Sequence, residues 1–168
     1  MTLAGILAAG VTAALAGLGG RWALLAALLA VVSGLVDNLD GAVAVLTERV
    51  TAFGSVLDSV ADRVSDGLCL VALWLLGAPG WLAVAAGAGT VLQEYTRARA
   101  AVVGMSEVGV VTVAERPTRV IVTASALAGA GVLPGRADDA ALAGLVVWAA
   151  LALVGLVQVL VVVRRRLR

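Results

Sequence analysis

The sequence predicts an all-α integral membrane protein, six transmembrane helices forming a single domain over residues 1–168. Three observations lead there. Of the 168 residues, 62% are hydrophobic and 14% charged, with a mean hydropathy of +1.08; a soluble domain is nearer half apolar, with about a quarter charged. Apolar segments of about 16 to 24 residues, close to the length that crosses a bilayer, alternate with short polar or Gly/Pro breaks. Arginine is distributed very unequally among those breaks.

The first segment runs from about Leu3 to Leu18 and breaks at Gly19-Gly20-Arg21. No basic stretch precedes it and apolar segments continue to the end of the chain, so it is expected to be a retained span and not a cleaved leader. The second begins near Trp22 and runs through Asp37 and Asp40 to about Val45. Thr47, Glu48 and Arg49 lead into the third, about Phe53 to Leu76. Gly77-Ala78-Pro79-Gly80 turns the chain into the fourth, Trp81 to about Arg99. A longer loop, Ala100 to Pro117, precedes the fifth, Arg119 to Leu133. The turn from Pro134 to Asp139 leads into the sixth, Ala140 to Val163. Abundant Gly, Ala and Ser suit close helix packing.

Arg49, Arg63, Arg97, Arg99, Arg116, Arg119 and the tail Arg164, Arg165, Arg166 and Arg168 fall on one side of this topology, against Arg21 and Arg136 on the other. Positive charge marks the cytoplasmic side, so both termini are expected there, in a bacterial cytoplasmic membrane. Trp22 and Trp81 fall at the opposite interface, where an aromatic belt belongs. The Arg164–Arg166 run reads as a topology anchor beside anionic lipid.

Composition also excludes chemistry. A net charge of +1 provides no field for nucleic acid. Histidine is absent, removing the commonest general base and transition-metal ligand. Cys69 is the sole cysteine and lies in an apolar run, so it reads as packing and no disulfide is expected. Any base is therefore a carboxylate, and any metal one that accepts oxygen.

Asp37, Asp40, Asp58 and Asp62 lie within 26 residues of this apolar chain. Carboxylates at membrane depth are costly and usually functional. Asp37 and Asp40 share nearly one helix face, as do Asp58, Asp62 and Asp66. If the second and third spans are antiparallel neighbours, the pairs meet at one depth, where their mutual repulsion calls for a cation. Oxygen-only ligands select Mg²⁺, Mn²⁺ or Ca²⁺, and four carboxylates suffice for two ions clamping a diphosphate. Gly41 and Gly54 leave room beside them for phosphate to approach the backbone. The bland alternative pairs the aspartates with Arg49 and Arg63 as interfacial salt bridges. A cation transporter is a further alternative, but it would spread acidic residues through the membrane's depth, and these cluster at one end.

The run D-N-L-D-G-A-V-A, then G-S-V-L-D-S-V-A-D after a fixed spacer, resembles the signature D-x-x-D-G-x-x-A-R-x8-G-x-x-x-D-x-x-x-D of the CDP-alcohol phosphatidyltransferase family. E-Y-T-R-A-R-A from Glu94 and E-R-P-T-R from Glu115 are similar to bacterial members too. The resemblance implies a six-helix membrane fold, usually a homodimer, that displaces CMP from a CDP-linked lipid with a polar alcohol, in phospholipid biosynthesis. It further implies that Asp37, Asp40 and Asp58 ligate Mg²⁺ or Mn²⁺, two ions in all. Asp62 would be both a ligand and the general base, and Gly41, Ala44 and Gly54 would line the nucleotide pocket. The arginine that follows the motif alanine in the family is Val45 here, a loss worth about 1.5–3 kcal/mol if a charged hydrogen bond goes with it. Arg49 lies one turn on. A degenerate homologue, non-catalytic or lipid-binding, is the alternative that Val45 supports.

On the acceptor side, Arg97, Arg99, Arg116 and Arg119 flank the long loop and are expected to bind an anionic acceptor such as a polyol phosphate, since the planar guanidinium engages phosphate in bidentate fashion. Glycerol phosphate, inositol phosphate and inositol all remain open. Glu94 is expected to pair with Arg97 or Arg119, and Gln158 to make an interhelical hydrogen bond.

Overall fold

A computed structural model of the chain describes residues 2–46, 51–105 and 112–167, with the side chains of residues 2 and 38–46 outside the description. Six α-helices make up the described residues: α1 Thr2–Leu18, α2 Trp22–Leu46, α3 Ala52–Leu75, α4 Gly80–Val102, α5 Arg116–Val132 and α6 Ala137–Arg166, with one 3₁₀ turn at Pro134–Arg136. The all-α architecture and the order of elements agree with the sequence reading. Two starts differ, for local reasons. Helix α5 begins at Arg116, not Arg119, because Pro117 falls in its first turn, where a fixed φ and a missing N–H do no harm. Helix α6 takes in Asp138 and Asp139, expected in the turn; acidic residues in a first turn complement the helix dipole, as Arg164–Arg166 do in its last.

The turns alternate the helices end for end. Gly19 and Gly20 both hold positive φ, 67° and 58°, between α1 and α2, and Gly77 holds 108° between α3 and α4. Only glycine adopts these angles without strain. As a result Trp22, Leu24, Leu75, Gly131 and Asp138 lie toward one end, and Gly5, Asp37, Asp62, Glu94, Arg116 and Gln158 toward the other.

Helix α1 packs against both α2 and α3, α5 against α2 and α6, and α4 against α6 and less extensively α3. Among the described residues α2 and α3 meet little directly, so the condition of adjacent second and third spans is not satisfied. Convergence of their carboxylates comes instead through α5. The α2–α5 seam is tight: a Cβ on Gly131 would fall 2.8 Å from the Leu24 backbone nitrogen, and one on Gly34 2.9 Å from a Val120 methyl.

The interior is built mainly of alanine, with Leu73, Leu127, Leu145 and Trp148 its most deeply buried large members, while large apolar side chains face outward on every helix. Cys69 packs against this interior. By length and composition one described stretch, Pro134–Arg166, suffices alone to cross a bilayer; Leu3–Leu18 and Trp22–Asp37 are apolar but shorter.

Candidate active site

The charged side chains gather at one end of the bundle. Asp37, late in α2, and Asp62, in the first half of α3, both ion-pair with a single guanidinium, that of Arg116 at the start of α5. Asp58, one turn before Asp62 on the same face, acts on that guanidinium by its charge. All three ion-paired side chains are partly exposed, about a quarter to a third, so the pairs are only partly screened. Opposite Asp37 stands Gly5 of α1, where an added Cβ would lie 3.6 Å from a carboxylate oxygen, in ordinary contact.

Arg116 is held in place by its neighbours in sequence. Residues 112–115 form a short strap before α5. The Glu115 carboxylate accepts hydrogen bonds from both terminal nitrogens of Arg97 and from the backbone and hydroxyl of Thr112. Gln93 Nε2 donates to the Thr112 hydroxyl at 2.8 Å, and the Val113 amide donates to Gln158 Oε1 at 3.2 Å. Among the described residues, the bond of Gln158 therefore goes to this strap before α5 and not to a side chain of another helix. Burial alone would raise the Glu115 carboxyl, but the bonds from Arg97 and Thr112 prevail and hold it down at about 2.

Beneath lies a second ion-pair layer. Arg119 is 2% exposed and grips Asp66, itself 7% exposed, through Nε and Nη2 at 3.2 and 3.1 Å, while its Nη1 donates to the Ala114 carbonyl. Arg63 pairs with Asp66 at 3.3 Å and Glu94 at 3.5 Å; Glu94 also pairs with Arg97 at 3.2 Å, as the sequence anticipated. An open groove of about 770 Å³ runs between α3 and α4, polar where Asp62, Arg63, Glu94 and Arg97 line it and apolar along Val56, Val60, Val91 and Met105.

Of the expected ligands, then, Asp37 and Asp62 are brought to one point, with Asp58 beside them. Asp40, Gly41 and Ala44 lie outside the described side chains, as do Val45 and Arg49. Among the described residues no three acidic side chains form a ready metal cluster. The donor set still fits a hard cation: carboxylate oxygens from two helices already converge on one positive charge. Gly54 has a local role, since its amide donates to the Thr51 hydroxyl that caps α3, and a Cβ there would come 2.9 Å from that oxygen. The four arginines expected to bind the acceptor separate into classes. Arg119 and Arg97 have internal partners, Arg116 holds the carboxylates, and Arg99 is exposed near the end of α4. Thr112 and Glu115 of the strap, with Gln93 of α4, received no role from the sequence, because they act on backbone and on one another across 3 to 19 residues. The only available signal was the acid Glu115 directly before R-P-T-R.

Comparison with known proteins follows the same lines. The model of a family described as CDP-alcohol phosphatidyltransferase matches residues 1–164. The archaetidylinositol phosphate synthase of Methanothermobacter thermautotrophicus is 38% identical over a 171-residue alignment covering 100% of this chain and 83% of that protein. The enzyme of the same name from Pyrococcus horikoshii is 35% identical over 100 residues, 59% of this chain and 53% of its own. The phosphatidylinositol phosphate synthase of Mycobacteroides abscessus is 36% identical over 103 residues, 57% of this chain and 44% of its own.

Proposed function

We propose that this chain, which belongs to the CDP-alcohol phosphatidyltransferase family, transfers the lipid-bearing phosphate of a CDP-activated lipid to an inositol phosphate and releases CMP. The family and its relatives establish transfer from a CDP-lipid to an alcohol. The choice of acceptor is supported by the names of the relatives and by the concentration of arginine at the site. The observation that carries the reading is the convergence of Asp37 and Asp62, from different helices, on one cation beside an amphipathic groove.

The residues divide the work as follows. The groove takes the donor, its apolar length facing the chains and its polar end facing the diphosphate. An acceptor hydroxyl gives its proton to the Asp62 carboxylate as its oxygen bonds to the lipid-bearing phosphorus. The bond from that phosphorus to the CMP oxygen breaks, and CMP leaves with the electron pair. Asp37, Asp40, Asp58 and Asp62 would hold Mg²⁺ or Mn²⁺, two ions, which when bound offset charge on the diphosphate and the departing CMP. Arg116 and Arg99 would meet the acceptor's phosphate; Gly41, Ala44 and Gly54 would border the nucleotide.

The same reading places all six helices in a prokaryotic cytoplasmic membrane, with this end of the bundle and both termini facing the cytoplasm. Its support is the inverted distribution of size: alanine inside, where small residues let backbones approach, and large apolar side chains outside on every helix, far more than a soluble monomer exposes in contiguous patches. A second copy across one of these faces would complete a homodimer. The test is CMP release from CDP-activated lipid by purified protein in lipid, with a panel of polyols and polyol phosphates and with Mg²⁺, Mn²⁺ or chelator. Metal-dependent release that requires inositol phosphate and disappears in Asp62→Asn supports the proposal; release independent of acceptor, or undiminished in Asp62→Asn, overturns it.

A further inference from the structure

We infer that Arg116 is an internal counter-cation that competes with the divalent metal for Asp37 and Asp62 and, once displaced, presents its guanidinium to the anionic group of the acceptor. This deepens the reading above and rests on its metal site.

The described ion-pair partners of Arg116, Asp37 and Asp62, belong to the aspartate motif and come from separate helices. Two other arginines nearby are differently placed, as is Arg63, which pairs with Asp66 and Glu94. Arg119 is buried with a fixed carboxylate and a backbone carbonyl, and Arg97 is tied to Glu94, Glu115 and Thr112. Arg116 alone among these four is set against groups whose proposed task is to bind something else. A guanidinium fork engages carboxylate through the same oxygens that a hard cation needs, and the two positive charges repel at such separations. Occupation by one therefore weakens the other.

The backbone of Arg116 does not have to move for this exchange. Its position is fixed by the preceding strap, whose Thr112, Val113 and Glu115 are bound to α4 and α6, and by its place as the first residue of α5. Only the side chain needs to turn, and with Asp62 on the wall of the α3–α4 groove the released guanidinium stands beside bound substrate. Acceptor recognition is thereby coupled to metal occupancy: a site without metal keeps its phosphate-binding arginine engaged.

The test is Mn²⁺ binding to the full-length protein in detergent, followed by the paramagnetic resonance of free Mn²⁺, for wild type, Arg116→Gln, Asp62→Asn and, as a control at the far end of the bundle, Arg136→Gln. Removing the competing charge is expected to tighten Mn²⁺ binding roughly tenfold in Arg116→Gln while raising the KM for acceptor at saturating metal. A residue with a merely structural role does not move those two quantities in opposite directions. In the wild type, modification of Arg116 by phenylglyoxal, read by peptide mass spectrometry, is expected to speed up on adding Mn²⁺; this measurement does not depend on any variant folding. If Arg116→Gln binds Mn²⁺ no tighter, or Mn²⁺ leaves the modification rate unchanged or slower while Asp62→Asn abolishes Mn²⁺ binding, the competition is wrong and the metal site stands. Failure of the wild type to bind Mn²⁺ at all overturns both.

Discussion

Replacing Asp66 with leucine isolates the charge of Arg119 in the interior. The two side chains are 7% and 2% exposed and joined by contacts of 3.2 and 3.1 Å; after the substitution Arg119 keeps the Ala114 carbonyl as a neutral acceptor. Stranding a buried charge in this way costs about 3–5 kcal/mol. Replacing Arg119 with methionine in the same chain removes the stranded charge, and such apolar exchanges of a whole buried pair are often neutral or better. Asp66 also holds Arg63 at 3.3 Å, but Arg63 retains Glu94 at 3.5 Å and is a quarter exposed, so its loss adds about 0–1 kcal/mol. The double variant is therefore expected within about 1 kcal/mol of wild type, and the single variant 3 or more below it. Reversible unfolding in mixed micelles, followed by fluorescence of single-tryptophan protein retaining the buried Trp148, whose indole donates to Thr90, measures both. A double variant as unstable as Asp66→Leu, or a single variant that loses less than about 1 kcal/mol, refutes the argument. Activity adds a separate reading: a tie between α3 and α5 leaves the acceptor KM of the double variant near wild type, whereas a tenfold rise assigns Arg119 to the acceptor.

Glu115 makes stability depend on acid. Its folded value of about 2 lies below its ordinary 4.5, so its contribution is complete above that ordinary value and fades as pH falls toward the folded one. The stability gap between wild type and Glu115→Gln should hold steady from neutrality to about pH 5 and close below that; a gap unchanged at pH 3 contradicts the network. Gly131→Ala drives a Cβ to 2.8 Å from the Leu24 nitrogen and is expected to destabilise by about 1–3 kcal/mol. Gly129→Ala, whose Cβ would meet only the Ala140 methyl at 3.4 Å, should be neutral or gain up to about 1 kcal/mol; equal effects in unfolding titrations argue against the seam. In single-tryptophan variants in vesicles, brominated lipid should quench Trp22 and Trp81, 51% and 71% exposed, and spare Trp148 at 1%. Quenching of all three alike, or of none, removes the case for a lipid-facing exterior.

Much of this protein is legible in its sequence because apolar length and punctuation determine helices directly. Gly19-Gly20 and Gly77 marked turns that do require positive φ, and every expected segment corresponds to a helix. The boundaries that shifted, at Arg116 and Ala137, shifted because proline and acidic residues are punctuation inside a chain but good first-turn residues in a helix. The aspartate pattern located the site through local spacing, which a helix preserves. Spacing does not reveal which helix lies between others: Asp37 and Asp62 meet through Arg116 of α5 and not by direct contact of α2 with α3. Nor does it reveal that Arg119, an equally good phosphate ligand on paper, is buried on Asp66. Partner choice among arginines is a property of packing: the α2–α5 seam that Gly34 and Gly131 make close brings Arg116 to Asp37, while Arg119 meets Asp66 of α3.

We propose that this site joins a CDP-activated lipid to an inositol phosphate, with Asp62 taking the proton. The most direct test offers the reconstituted protein a CDP-activated lipid together with equal concentrations of inositol phosphate, glycerol phosphate and inositol, and measures lipid products by mass spectrometry alongside CMP. The expected result is one new lipid carrying inositol phosphate, formed in equal amount with CMP and absent for Asp62→Asn. A different headgroup, CMP without a matching lipid, or full product from Asp62→Asn would contradict it.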